Sequence, residues 1–126
     1  MDSILDTIKK MLDLEVENTS FDTAIIVNIN SACLSLSQLG VGPDDGFSIT
    51  GNTETWTDLL GTNKNLNAVQ MFIFLKVKFV FDPPATASVQ TAYDNQIREL
   101  GWRINTEVEK GYISPSKGVV TDDESL

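Results

Sequence analysis

The sequence predicts an all-α fold: a small bundle of about five helices, with one long loop and an extended C-terminal arm. Three observations predict it. Twelve of the sixteen residues from Leu66 to Phe81 are apolar, and Asp82, Pro83 and Pro84 stop the run. Val89, Tyr93, Ile97, Leu100, Ile104 and Val108 then step by 4, 4, 3, 4 and 4, which is helical spacing. Ile25, Ile29, Ala32, Leu36 and Leu39 form a second such stripe. Only Lys76 to Phe81 alternates like a strand, and sixteen residues is long for a strand but ordinary for a helix.

The run at 66–81 reads as the central helix. Asn67, Gln70 and Lys78 fall on one narrow stripe, so a single wet edge is expected, with Lys76 on the opposite side. Every other amphipathic segment needs a face against it. Ile4, Leu5, Ile8, Met11 and Leu12 mark a first short helix, capped by Asp2 or Ser3. Residues 13–20 read as a polar linker. The second helix starts at Asp22, whose carboxylate is expected to cap it while Phe21 staples onto Ile26. Gly40 suits its left-handed C-terminal cap, and Pro43 prevents resumption. Residues 41–53 are the long loop, with room for one short extended piece, Phe47 to Thr50. A third helix is expected over 54–60, capped by Asn52 or Thr53, with Trp56, Leu59 and Leu60 as its apolar face. Asp82 is expected to cap the last helix, with Pro83 at its first position, packed antiparallel on the central one. The helical domain is bounded at 1–108. From Glu109 the pattern ends, and 109–126 reads as an arm or tail.

Composition narrows the function classes. The 126 residues amount to one domain, and 41% hydrophobic content is enough for a core. Nine basic against eighteen acidic residues give a net charge of −9. That opposes ordinary nucleic-acid binding, which needs cations to displace counterions, and opposes docking on an anionic membrane. No histidine is present, which removes the commonest general base. The single cysteine, Cys33, has no intramolecular partner and suits a reducing cytosol. The N-terminus lacks the order of a signal peptide, and the run at 66–81 is short for a membrane span.

No residue pattern points to catalysis, a cofactor or a metal. Asp44-Asp45-Gly46 lacks the alternating oxygen ligands of a calcium loop and reads as a turn. Asp122, Asp123 and Glu124 read as a solvated terminal cluster. Cys33 reads as a small core residue. Gly40-Val41-Gly42 follows a helix and is completed by no Gly-Lys-Ser/Thr, so it is no phosphate loop. Arg98 and Arg103 flank Glu99, where surface ion pairs are expected. Two features stay open. Trp56 and Trp102 are each either core or interface anchors. Tyr112, Ile113, Val119 and Val120 in the tail are either solvated or seats for a partner.

Four stretches carry a resemblance: Phe21 to Pro43, Phe47 to Gly61, Met71 to Pro84 and Ile97 to Asn105. In this order, with Asp-Pro-Pro after the apolar helix, they resemble the head–tail connector family of tailed bacteriophages, the adaptor or head-completion proteins. The resemblance runs from the first helix to about Val108. It implies a non-catalytic virion protein that forms a ring, usually of twelve copies, beneath the portal. It further implies that the ring extends the DNA channel and gives a platform for a stopper or tail-completion protein. The expected partners are therefore further copies of itself, the portal, that stopper, and duplex DNA passing without specific binding. Assembly in the bacterial host cytoplasm is expected. The tail lies outside the resembling stretches, and its reach toward the portal is implied by position alone. The competing expectation is a small acidic helical binding module that regulates a host or phage protein.

Overall fold

The computed structural model of the chain describes residues 3–43, 45–61 and 66–109. Five helices follow in order: α1 (Ile4–Met11), α2 (Asp22–Gln38), α3 (Trp56–Leu60), α4 (Leu66–Phe81) and α5 (Ala87–Glu109). The fold is all-α, as the periodicity predicts. No strand occurs among the described residues; one isolated antiparallel bridge joins Ser3 to Thr55.

α4 is the hub. It packs against α1, α2 and α5, which is what its apolar content demands. Val69, Phe72, Ile73, Leu75 and Val77 are buried, and all but Leu75 belong to one cluster with Ile4, Ile8, Ile25, Ile29, Leu36, Trp56 and Leu59. The wet edge is narrower than its sequence suggests: Asn67 and Met71 are exposed, but Gln70 and Lys78 are only half-exposed. Lys76, on the other side, donates to Ser35 Oγ at 3.2 Å and lies 5.6 Å from the Phe72 ring centroid.

α5 runs antiparallel to α4, since Phe79 meets Tyr93 while Phe72 lies by Gly101. Its stripe is only partly covered. Ile104 is fully buried, Tyr93, Ile97 and Leu100 are half-buried, and Val89 is exposed. The C-terminal half of α5 is its anchor.

The helix ends show which local signals hold. Ser3 caps α1 by accepting from Asp6 N at 3.2 Å. After α2, Gly40 takes φ +93°, Gly40 N donates to Ser37 O and Val41 N to Leu36 O, the paired bonds of a Schellman cap. A Cβ at Gly40 would also come within 2.9 Å of a Val108 methyl carbon, so α5 closes on this turn. α1 ends in the same motif with Asp13 at φ 66°, a position that favours glycine.

Three expected caps are corrected. α3 begins at Trp56 under Thr55, with a reciprocal box between Thr55 and Asp58, so neither Asn52 nor Thr53 caps it. α5 begins at Ala87; Thr86 Oγ1 accepts from Val89 N at 3.3 Å, while Asp82 pairs with Lys78 at 3.2 Å. Asp22 does not cap α2 either, for its carboxylate faces Lys9, and Phe21 meets Phe81 edge-on at 5.3 Å.

Lys9 organises the segment before α2. Its ammonium donates to Val16 O at 2.8 Å and Asn18 O at 2.7 Å, and Asp22 Oδ1 lies 2.8 Å away. Oδ1 receives no directed hydrogen bond, so the ammonium charge is what satisfies it. The lysine is 1% exposed. Residues 13–20 are thus a wrap around a buried cation, rather than a free linker. The extended piece at Phe47–Thr50 is held likewise: Ile49 N donates to Asn30 Oδ1 at 2.7 Å and Asn30 Nδ2 donates to Ile49 O at 3.0 Å. Asn30→Ala should cost about 1–3 kcal/mol, because both backbone groups lose their partner; thermal unfolding reads it directly.

Candidate functional site

Among the described residues, no three His, Cys, Asp or Glu side chains gather as a metal site would require. Gly46 N donates to Pro43 O, so the 43–46 stretch is a turn; Asp44 lies outside the described residues. Asp122, Asp123 and Glu124 also lie outside them. Cys33 is buried, and burial pushes its thiol up to about 12. Its neutral form favours the fold, so the sign is fixed. That contribution is present below about pH 9 and is lost as pH rises toward about 12, where the unfolded chain loses its proton first. Cys33→Ala should therefore flatten the alkaline fall in stability, read from unfolding curves above about pH 9.

The surface is more informative. The two tryptophans separate. Trp56 is 1% exposed, and its indole N–H donates to Thr7 Oγ1 at 3.0 Å across α1 and α3. A partner cannot touch it, so Trp56 leaves the set of candidate anchors. Trp102 is 68% exposed on α5. Tyr112, Ile113, Val119 and Val120 lie outside the described residues.

Trp102 borders a groove between α2 and α5. Leu39, Phe72 and Ile97 give it apolar walls, and Gln38, Arg98 and Asn105 stand on its margin. Its volume is about 470 Å³. Asn105 Nδ2 donates to Leu39 O at 3.3 Å and closes one end. Arg98 Nη1 donates to Asn95 Oδ1 at 3.1 Å within its own helix, where the guanidinium stays solvent-facing. Arg103 is turned to Glu99 at 2.8 Å in an exposed pair, worth little by itself.

The outer side of α2 continues from this groove. Ala24, Val27, Ser31, Leu34 and Gln38 are exposed, at steps of 3, 4, 3 and 4. Val27 and Leu34 are 61% and 64% exposed. Asp22 is the only charged residue in the 17 of α2. The sequence shows this stripe only as what is left outside the buried one, and exposure was needed to see it.

The comparison with known families gives this surface its context. The chain matches the sequence model of a family described as phage connector protein over residues 4–111, most of its 126 residues. It belongs to the phage connector protein family. Neither the curated proteins nor the solved structures contain a significant match. Connector proteins are structural components of the phage virion, with a head–tail connecting role that brings them against other head or tail proteins. The match spans all five helices. None of its described helices is long and apolar enough to cross a membrane.

Proposed function

We propose that this connector is an adaptor subunit that closes into a ring beneath the portal, extends the DNA channel and presents a platform for a stopper or tail-completion protein. The family match over residues 4–111 carries the reading. Ring closure needs head-to-tail contacts, in which one face of a subunit meets a different face of the next. The net charge of −9 supports a conduit, because a lumen that repels phosphates lets duplex DNA slide without sticking. Purified protein is accordingly expected to release duplex DNA at physiological salt. Assembly in the host cytoplasm belongs to the same reading.

Residues 1–108 are the ring-forming domain in this reading, and 109–126 are an arm that holds the portal or the adjacent subunit through Tyr112, Ile113, Val119 and Val120. The arm binds as an added strand, its alternate side chains entering pockets. Deletion after Val108 tests it. The truncated chain should unfold at nearly the wild-type temperature, yet fail to stay on portal-bearing capsids. Infectious particles completed by the truncated chain would overturn the arm's role. A truncated chain that no longer folds would also do so, by making the tail part of the core. Absence of the full-length chain from purified virions would overturn the adaptor itself and favour a small regulatory binding module.

A further inference from the structure

We infer that the outer face of α2, with the Trp102 groove beside it, is where a second copy of this chain docks. This rests on the ring reading and names the face that the ring would use.

Charge selects the occupant. Each copy carries −9, so two copies repel wherever their carboxylates would be opposed. The outer side of α2 is one face that avoids this, and its exposed stripe runs into the groove that Arg98 borders. The one charge of α2, Asp22, lies at the helix start and is held by Lys9, and the exposed stripe from Ala24 to Gln38 has none. A neighbour can approach there without burying an unpaired carboxylate, whose lost hydration nothing would offset. The charged residue that borders the face, Arg98, has the sign that an acidic neighbour attracts. Arg98 and Trp102 sit one helical turn apart, and both are residue types that anchor interfaces.

Shape agrees with charge. The 3-4-3-4 spacing of Ala24, Val27, Ser31, Leu34 and Gln38 makes a straight ridge of small and apolar side chains, the pattern that packs against another helix. Gln38 belongs both to this ridge and to the groove margin, so the two form one surface. Val27 and Leu34 are too exposed to serve the subunit's own core, so their side chains do nothing for an isolated copy.

The test uses the full chain in assembled particles. A photo-crosslinking residue placed at Leu34 should yield, on irradiation, an adduct of twice the chain's mass. Leu34→Glu should lower incorporation into particles by at least about tenfold at unchanged thermal unfolding, with Leu34→Met restoring it. Trp102→Glu should act in the same direction. An adduct with the portal or another phage protein, or no adduct, would overturn the inference while leaving the chain's presence in the particle intact. Unimpaired incorporation of both glutamate variants would overturn it as well. If the chain is absent from particles, the ring reading falls, and this inference with it.

Discussion

Lys9→Met is expected to destabilise the chain by about 3–5 kcal/mol, the largest loss from any single polar side chain described. The ammonium is buried; it donates to Val16 O and Asn18 O and pairs by charge with Asp22 Oδ1, all within 2.8 Å. Methionine keeps the length and the apolar stem. It leaves two part-buried carbonyls and a partly buried carboxylate without the ammonium, and their partial desolvation is then uncompensated. Lys9→Arg should rescue little, since a planar fork does not match three acceptors spread around a point charge. Asp22→Ala should cost less than Lys9→Met, because the ammonium keeps both carbonyls and water reaches the Asp22 site, which is 24% exposed. Chemical unfolding of the three variants gives the order. Equal and small losses for all three would mean that the wrap at 13–20 is not held by the cation.

Trp56→Ala is expected to cost about 3–5 kcal/mol, through a cavity where α1, α3 and the core meet. Trp56→Phe retains most of the apolar area and loses the bond to Thr7 Oγ1, so about 1–2 kcal/mol is expected. Trp102→Ala should leave unfolding almost unchanged, because the side chain is largely solvated. The pair of measurements separates the two tryptophans by role. A stable Trp56→Ala variant that fails to assemble would return Trp56 to the surface anchors.

The helices are legible in the sequence wherever the apolar pattern is local. α4 is marked by its sheer apolar content, α5 by its unbroken stripe, and the end of α2 by the one residue suited to positive φ, Gly40. Caps are misread where an acid near a helix start has a better partner. Asp82 has Lys78 four residues back, and Asp22 has Lys9, 13 positions away, so neither carboxylate is free to cap. Lys9 beside Lys10 looks solvated, and only the chain segment that returns over it makes it interior. Asn30 is another such case, since its partner Ile49 is 19 residues distant. The two tryptophans cannot be told apart by residue type, because their difference is burial alone. Function is less legible still: no side-chain chemistry encodes it. The resemblance to connector proteins supplied the expectation, and the family match bears out that membership.

The central claim is that the chain forms a ring at the portal, and imaging of purified portal-bearing particles by electron cryomicroscopy tests it most directly. The account predicts a closed ring of this chain directly beneath the portal, continuous with its channel, with acidic side chains facing the lumen and the outer face of α2 covered by the next subunit. Particles in which the portal meets the tail with no copy of this chain between them would contradict it.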